Sequence, residues 1–151
     1  VLSPDRHNGA MTVHLVKMAV GIESLDHLMR IQKERRAGNN GILRHLTRNA
    51  PRRSVEVLDG GSIFWIIKGY IRARQRITGF ADAVGRNGKP RCAILLDPGL
   101  KRVELTPHKP IQGWRYMEDA AAPGDIGNAK GKAIDGLPEE MAAELKSLGL
   151  I

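Results

Sequence analysis

Five consecutive apolar residues, Ile63-Phe64-Trp65-Ile66-Ile67, run into Lys68-Gly69, and a segment of a different kind begins at Tyr70. Successive side chains of a strand point to opposite faces. An unbroken apolar run of this length therefore describes a strand buried on both faces, central in a sheet or in the wall of a small barrel. The rest of the chain must cover it on both sides. The segment that follows alternates instead. Arg72, Arg74 and Arg76 share one phase with Tyr70, while Ile71, Ala73, Gln75 and Ile77 take the other. Like charges at that spacing repel, so the arrangement costs stability unless an anion completes it. These arginines, assisted by Lys68, are the expected binding strand, and a phosphate-bearing or otherwise acidic partner is the expected ligand.

The flanking segments supply the cover. Val13 to Val20 reads as a strand. Ser24 is placed to cap a helix running to about Ala37, with Gly38 as its stop and Leu25, Leu28 and Met29 as its apolar face. Ile42 to Arg48 reads as a strand, and Pro51 fits the first position of a short helix through Leu58. Asn87-Gly88 signals a hairpin between a strand ending before Gly85 and another over Arg91 to Leu96. A short strand is expected at Arg102 to Leu105. The outcome is an α+β fold: a curved, largely antiparallel sheet or small mixed β-barrel, flanked by about three helices near 24–37, 51–58 and 138–148. Residues 1–10 read as a flexible extension, with Met11 as an alternative start. Residues 11–122 read as the core domain, 123–136 as a Gly-rich linker, and 137–151 as a helix docking on the core through Met141, Leu145 and Leu148.

Charge sharpens the expectation about partners. The 151 residues carry a net charge of +8. Residues 61–116 hold 11 Lys and Arg against 3 Asp and Glu, whereas residues 117–151 hold 3 against 7. A basic middle of this kind attracts nucleic acid or other polyanions through salt-sensitive forces. The longest apolar run is too short for a membrane span, so no membrane association is expected. The single cysteine, Cys92, excludes an internal disulfide, and with no secretory signal it fits a reducing cytoplasm.

Two further segments carry candidate chemistry. Thr47-Arg48-Asn49-Ala50-Pro51-Arg52-Arg53 puts two arginines in an expected first helical turn, where they oppose the helix dipole and an anion would relieve them. Lys109-Pro110-Ile111-Gln112-Gly113-Trp114-Arg115-Tyr116 gathers aromatics, an arginine and an amide around a glycine. In a chain with 4% aromatic residues, such a loop either stacks a base and reads its edge or plugs the core. The five histidines show no ligand spacing, so no metal is expected, and no phosphate-loop or dinucleotide fingerprint calls for a cofactor.

The segments Trp65 to Ile77 and Gln112-Gly113-Trp114-Arg115-Tyr116 resemble a bacterial family of uncharacterised proteins, known as a domain of unknown function. The resemblance runs from about Met11 to the C-terminus and includes Leu137-Pro138 to Leu150. Ile111 departs from it, at a position where an aromatic residue is expected. The family implies no activity and transfers no catalytic residue. A fold-level likeness to small barrels of the PUA and ASCH type rests on the apolar strand ending in Lys-Gly and the arginine-bearing strand after it. That likeness implies RNA or modified-base binding by analogy alone.

The primary expectation is an RNA- or nucleotide-binding module using Lys68, Arg72, Arg74, Arg76, Arg52, Arg53, Gln112, Trp114 and Arg115. One alternative is a small enzyme on a phosphorylated or nucleotide substrate, with Asp59 or Asp97 as acid or base. The other is a basic subunit docking an acidic protein. The sequence sets no oligomeric state.

Overall fold

The computed structural model describes residues 12–128. The expected extension at 1–10, the later part of the expected linker and the expected C-terminal helix lie outside the described residues.

The double-sided strand is β3 (Ser62–Ile67), and every one of its residues is buried. Lys68 and Gly69 turn it back on itself. Both have positive φ, 49° and 83°, as a tight two-residue hairpin of matching twist requires. The long β4 (Tyr70–Val84) follows, and a second hairpin through Asn87-Gly88 leads to β5 (Pro90–Leu96). On the other side of β3 lies β1 (Val13–Met18), paired in parallel, with Lys17 opposite Trp65. Every other pairing among the described residues is antiparallel. The sheet runs β2-β5-β4-β3-β1-β7, where β2 is Leu43–Thr47 and β7 is Trp114–Glu118. Off β4 branch β6 (Lys101–Pro107) and, beyond it, β8 (Asp125–Asn128).

Two local causes bend this sheet. The β3–β4 register shifts between Trp65 and Ile66, which leaves Arg72 as an extra residue between Ile71 and Ala73. A second shift lies between Ile77 and Gly79 against β5. An extra residue kinks a strand and increases its twist. It also breaks the alternation expected for this segment. Ile71 packs with Val16, Phe64, Ile66 and Val103 on one face. Ala73 and Ile77 pack with Leu15, Ile63, Trp65, Ile94 and Leu96 on the other. The seven-residue apolar/charged alternation is thus two shorter ones, out of phase.

The second, larger cluster is covered by α1 (Leu25–Ala37) and α2 (Ser54–Leu58), which contribute Leu25, Leu28 and Val57. Helix α1 has the expected ends: the Ser24 hydroxyl accepts from the His27 amide, and Gly38 closes it. Gln75, the polar residue on the apolar phase, pins it to the sheet. Its amide exchanges hydrogen bonds of 2.7 and 2.9 Å with buried Gln32 of α1, and its oxygen accepts from Trp65 Nε1 at 2.8 Å. Buried amides paired in this way avoid the desolvation cost of unmet groups.

Three expectations need correction. A closed barrel is not formed: among the described residues β2 pairs only with β5, and β7 only with β1, so the ladder stays open. Two α-helices flank the sheet there, and the third expected one falls outside the described residues. Helix α2 starts at Ser54 rather than Pro51, and Arg53 is its cap. The Gly-rich stretch after 123 opens with β8, because Lys101 to Val103 offer it an edge to pair with. No helix among the described residues is long and apolar enough to cross a membrane.

Candidate functional site

The bulge redistributes the arginine strand. Arg72 is 1% exposed; its Nε donates to the Ile67 carbonyl at 2.7 Å, and its guanidinium lies 5.7 Å from the Tyr70 ring centre. Arg74 makes a two-pronged pair with Asp125, 2.7 Å on each arm, and donates to Ser62 Oγ at 2.9 Å. That partnership raises the Arg74 pKa and holds the Asp125 carboxyl below its usual range. Arg76 alone of the three is exposed. Lys68, in the hairpin turn, meets Glu23 at 3.2 Å. The four cations do not share one open face.

The other two segments come together. The sheet curls until its end strands face each other, and the chain after β2 meets β7. Trp114 Nε1 donates to the Asn49 carbonyl at 3.4 Å, and the Arg53 amide donates to the Tyr116 hydroxyl at 3.1 Å. At this seam lies a cleft of about 560 Å³, walled by Lys17, Leu46, Thr47, Arg48, Asn49, Gln112, Gly113, Trp114 and Arg115. Of the expected site residues, Gln112, Trp114 and Arg115 line it. Arg52 is exposed elsewhere. Arg53 is engaged by Glu56 at 2.7 and 2.8 Å and by Glu118 at 3.1 Å, and it lies over the Tyr116 ring at 5.4 Å. Those carboxylates answer the dipole conflict expected at α2.

Lys17, Arg48 and Arg115 give the cleft three cations, and among the described residues no carboxylate lines it. Lys17 is half-buried, and desolvation pushes its ammonium below the usual lysine value. Arg115 folds over its own loop, donating to the Gln112 carbonyl at 2.8 Å. Trp114 packs edge-on against Tyr116, ring centres 5.0 Å apart. It packs against the core, as the plug reading expects, and it also borders the cleft. Thr47, Asn49 and Gln112 add neutral hydrogen-bonding groups.

A smaller recess of about 230 Å³ adjoins it along β2, with Lys17 in both walls. Trp65, Leu28, Leu43 and Leu96 form its apolar surface, and Arg35 and Arg44 stand at its rim with Lys17. His45 packs edge-on to Trp65 at 5.2 Å. Burial, then Lys17 and Arg35, lower its pKa to about 4, so it is neutral at physiological pH.

Lys17, Arg44, Arg35 and His45 were not among the expected site residues, and Arg48 lay in the second candidate segment without being assigned to the site. Lys17 carried a readable mark: it shares the phase of Val13 and Leu15, which puts a lysine on the core face of β1. Asp59 and Asp97 line neither recess. No group of acidic, histidine or cysteine side chains among the described residues is arranged to hold a metal ion.

The pattern of a protein family of unknown function, DUF1489, matches residues 15–151, and the chain belongs to that family. No curated protein and no solved structure matches it.

Proposed function

We propose that this DUF1489 protein is a binding module for RNA or a nucleotide-containing ligand, and that it binds through the seam cleft rather than through a basic strand face. One observation carries the reading: Lys17, Arg48 and Arg115 converge with the Trp114 ring on a cleft that, among the described residues, no carboxylate lines. Converging cations favour phosphate, and a bordering indole offers a face for a base. Thr47, Asn49 and Gln112 supply the groups that would read a base edge. The cleft's volume lies within the usual range for ligand sites.

The test is fluorescence anisotropy with a labelled single-stranded RNA at low salt. Trp114→Ala should weaken binding by about tenfold, the worth of one stacked base. Arg48→Ala combined with Arg115→Ala should weaken it further without moving the thermal midpoint by many degrees, whereas Trp114→Ala also removes a core contact and is assayed on protein shown to be folded. A wild-type protein that binds neither RNA nor free nucleotides under these conditions rejects the reading.

A further inference from the structure

The two recesses are joined by one residue, and it stands between the chain's two tryptophans. Lys17 of β1 is registered opposite Trp65 of β3 on one side and Trp114 of β7 on the other. Partners in register share a face, and neighbouring strands lie about 4.8 Å apart. A row Trp65-Lys17-Trp114 therefore crosses the concave side of the sheet, with Trp65 in the smaller recess, Trp114 in the larger, and Lys17 in both. Along β2 the order is the same: Arg44 and His45 border the smaller recess, Thr47 and Arg48 the larger. Each recess thus has an aromatic wall, and the partition between them is a cation.

We infer that the two recesses form one track for single-stranded RNA, in which an unpaired base enters the recess beside Trp65 and His45, the next nucleotide lies against Trp114, and Lys17 meets the phosphate that links them. This rests on the seam cleft being the nucleic-acid site. A flat base suits the smaller recess because its walls are apolar and aromatic while its rim is cationic. His45 adds a neutral imidazole, with one donor and one acceptor nitrogen, and among the described residues its Nε2 has no hydrogen-bond partner. A paired base cannot leave its stack to reach such a recess without unpairing, so the track selects single strands over duplex.

The test compares one short labelled oligoadenylate, alone and as a duplex, on the wild type and two variants. Ala19→Trp fills the smaller recess from its rim without touching the larger. Arg44→Glu reverses a charge at the exposed rim of the same recess and guards against an Ala19 variant that fails to fold. The wild type should prefer the single strand, and each folded variant should bind it about tenfold more weakly. Wild-type affinity in both variants, or equal affinity for duplex, overturns the track and leaves the seam cleft standing. Binding of no nucleic acid by the wild type overturns both.

Discussion

His45 and Asp125 show how single residues tie this fold to pH, with their effects in separate windows. The His45 imidazole has a folded pKa of about 4 against an ordinary 6.5. Between these values the unfolded chain binds a proton that the folded chain refuses. The cost is absent above about pH 6.5, grows as pH falls, and levels off below about pH 4, reaching about 3 kcal/mol. Chemical-denaturation midpoints should fall across that window, and a His45→Gln variant should lose most of the slope. A slope that persists unchanged in the variant contradicts the buried neutral imidazole. For Asp125, Arg74 lowers the carboxyl pKa from its ordinary 3.8. Its stabilisation is present above that value and is lost as pH falls through the lowered one. Arg74→Met should cost about 1–2 kcal/mol at neutral pH, a modest figure because the pair is partly solvated. It should cost less in strong acid; equal losses at both pH values would refute the pair's contribution. Single residues were unevenly legible. Lys17 was marked by its phase among core residues. Arg72 was not, because one extra residue in a strand leaves no trace in an apolar alternation and yet reverses every side chain beyond it.

The elements depend on a few backbone positions. Gly61 joins α2 to β3, its amide donating to the Val57 carbonyl at 2.8 Å and its carbonyl accepting from Ile77 at 3.0 Å. A Cβ there would collide with the carbonyl oxygens of Val13 and Val57. Both are backbone atoms of packed elements and neither can swing aside. Gly61→Ala should therefore destabilise the protein by about 3 kcal/mol or more, measured by urea unfolding. A loss below about 1 kcal/mol would show that β1 and α2 can separate there. Helix α1 and the second hairpin could be read in the sequence because their signals are local: a cap at Ser24, a stop at Gly38, a turn at Asn87-Gly88. The start of α2 was misplaced by three residues, because Pro51 is tolerated before a helix as well as in its first turn. Strand β8 was hidden because its pairing with β6 depends on an edge made elsewhere in the chain. Composition alone read those residues as a linker.

At the scale of the whole molecule, the candidate site is a product of curvature. The segments 47–53 and 109–116 are far apart in sequence, and each carried its own candidate chemistry. Only the curling of an open sheet sets them facing each other. Which cations are paired is likewise a property of the complete fold, since Asp125 engages Arg74 and Glu118 engages Arg53 from distant positions. The central claim is that polyanion binding belongs to the seam and not to β4. The salt dependence of RNA affinity tests it most directly, because the slope of log affinity against log salt counts the phosphates neutralised. Replacing Arg48 and Arg115 together by Ala should reduce that slope by about 1.4 for a single strand, while Arg76→Ala should leave it almost unchanged. A slope that falls with Arg76→Ala and survives the Arg48 and Arg115 changes would contradict the account and return the site to the arginine strand.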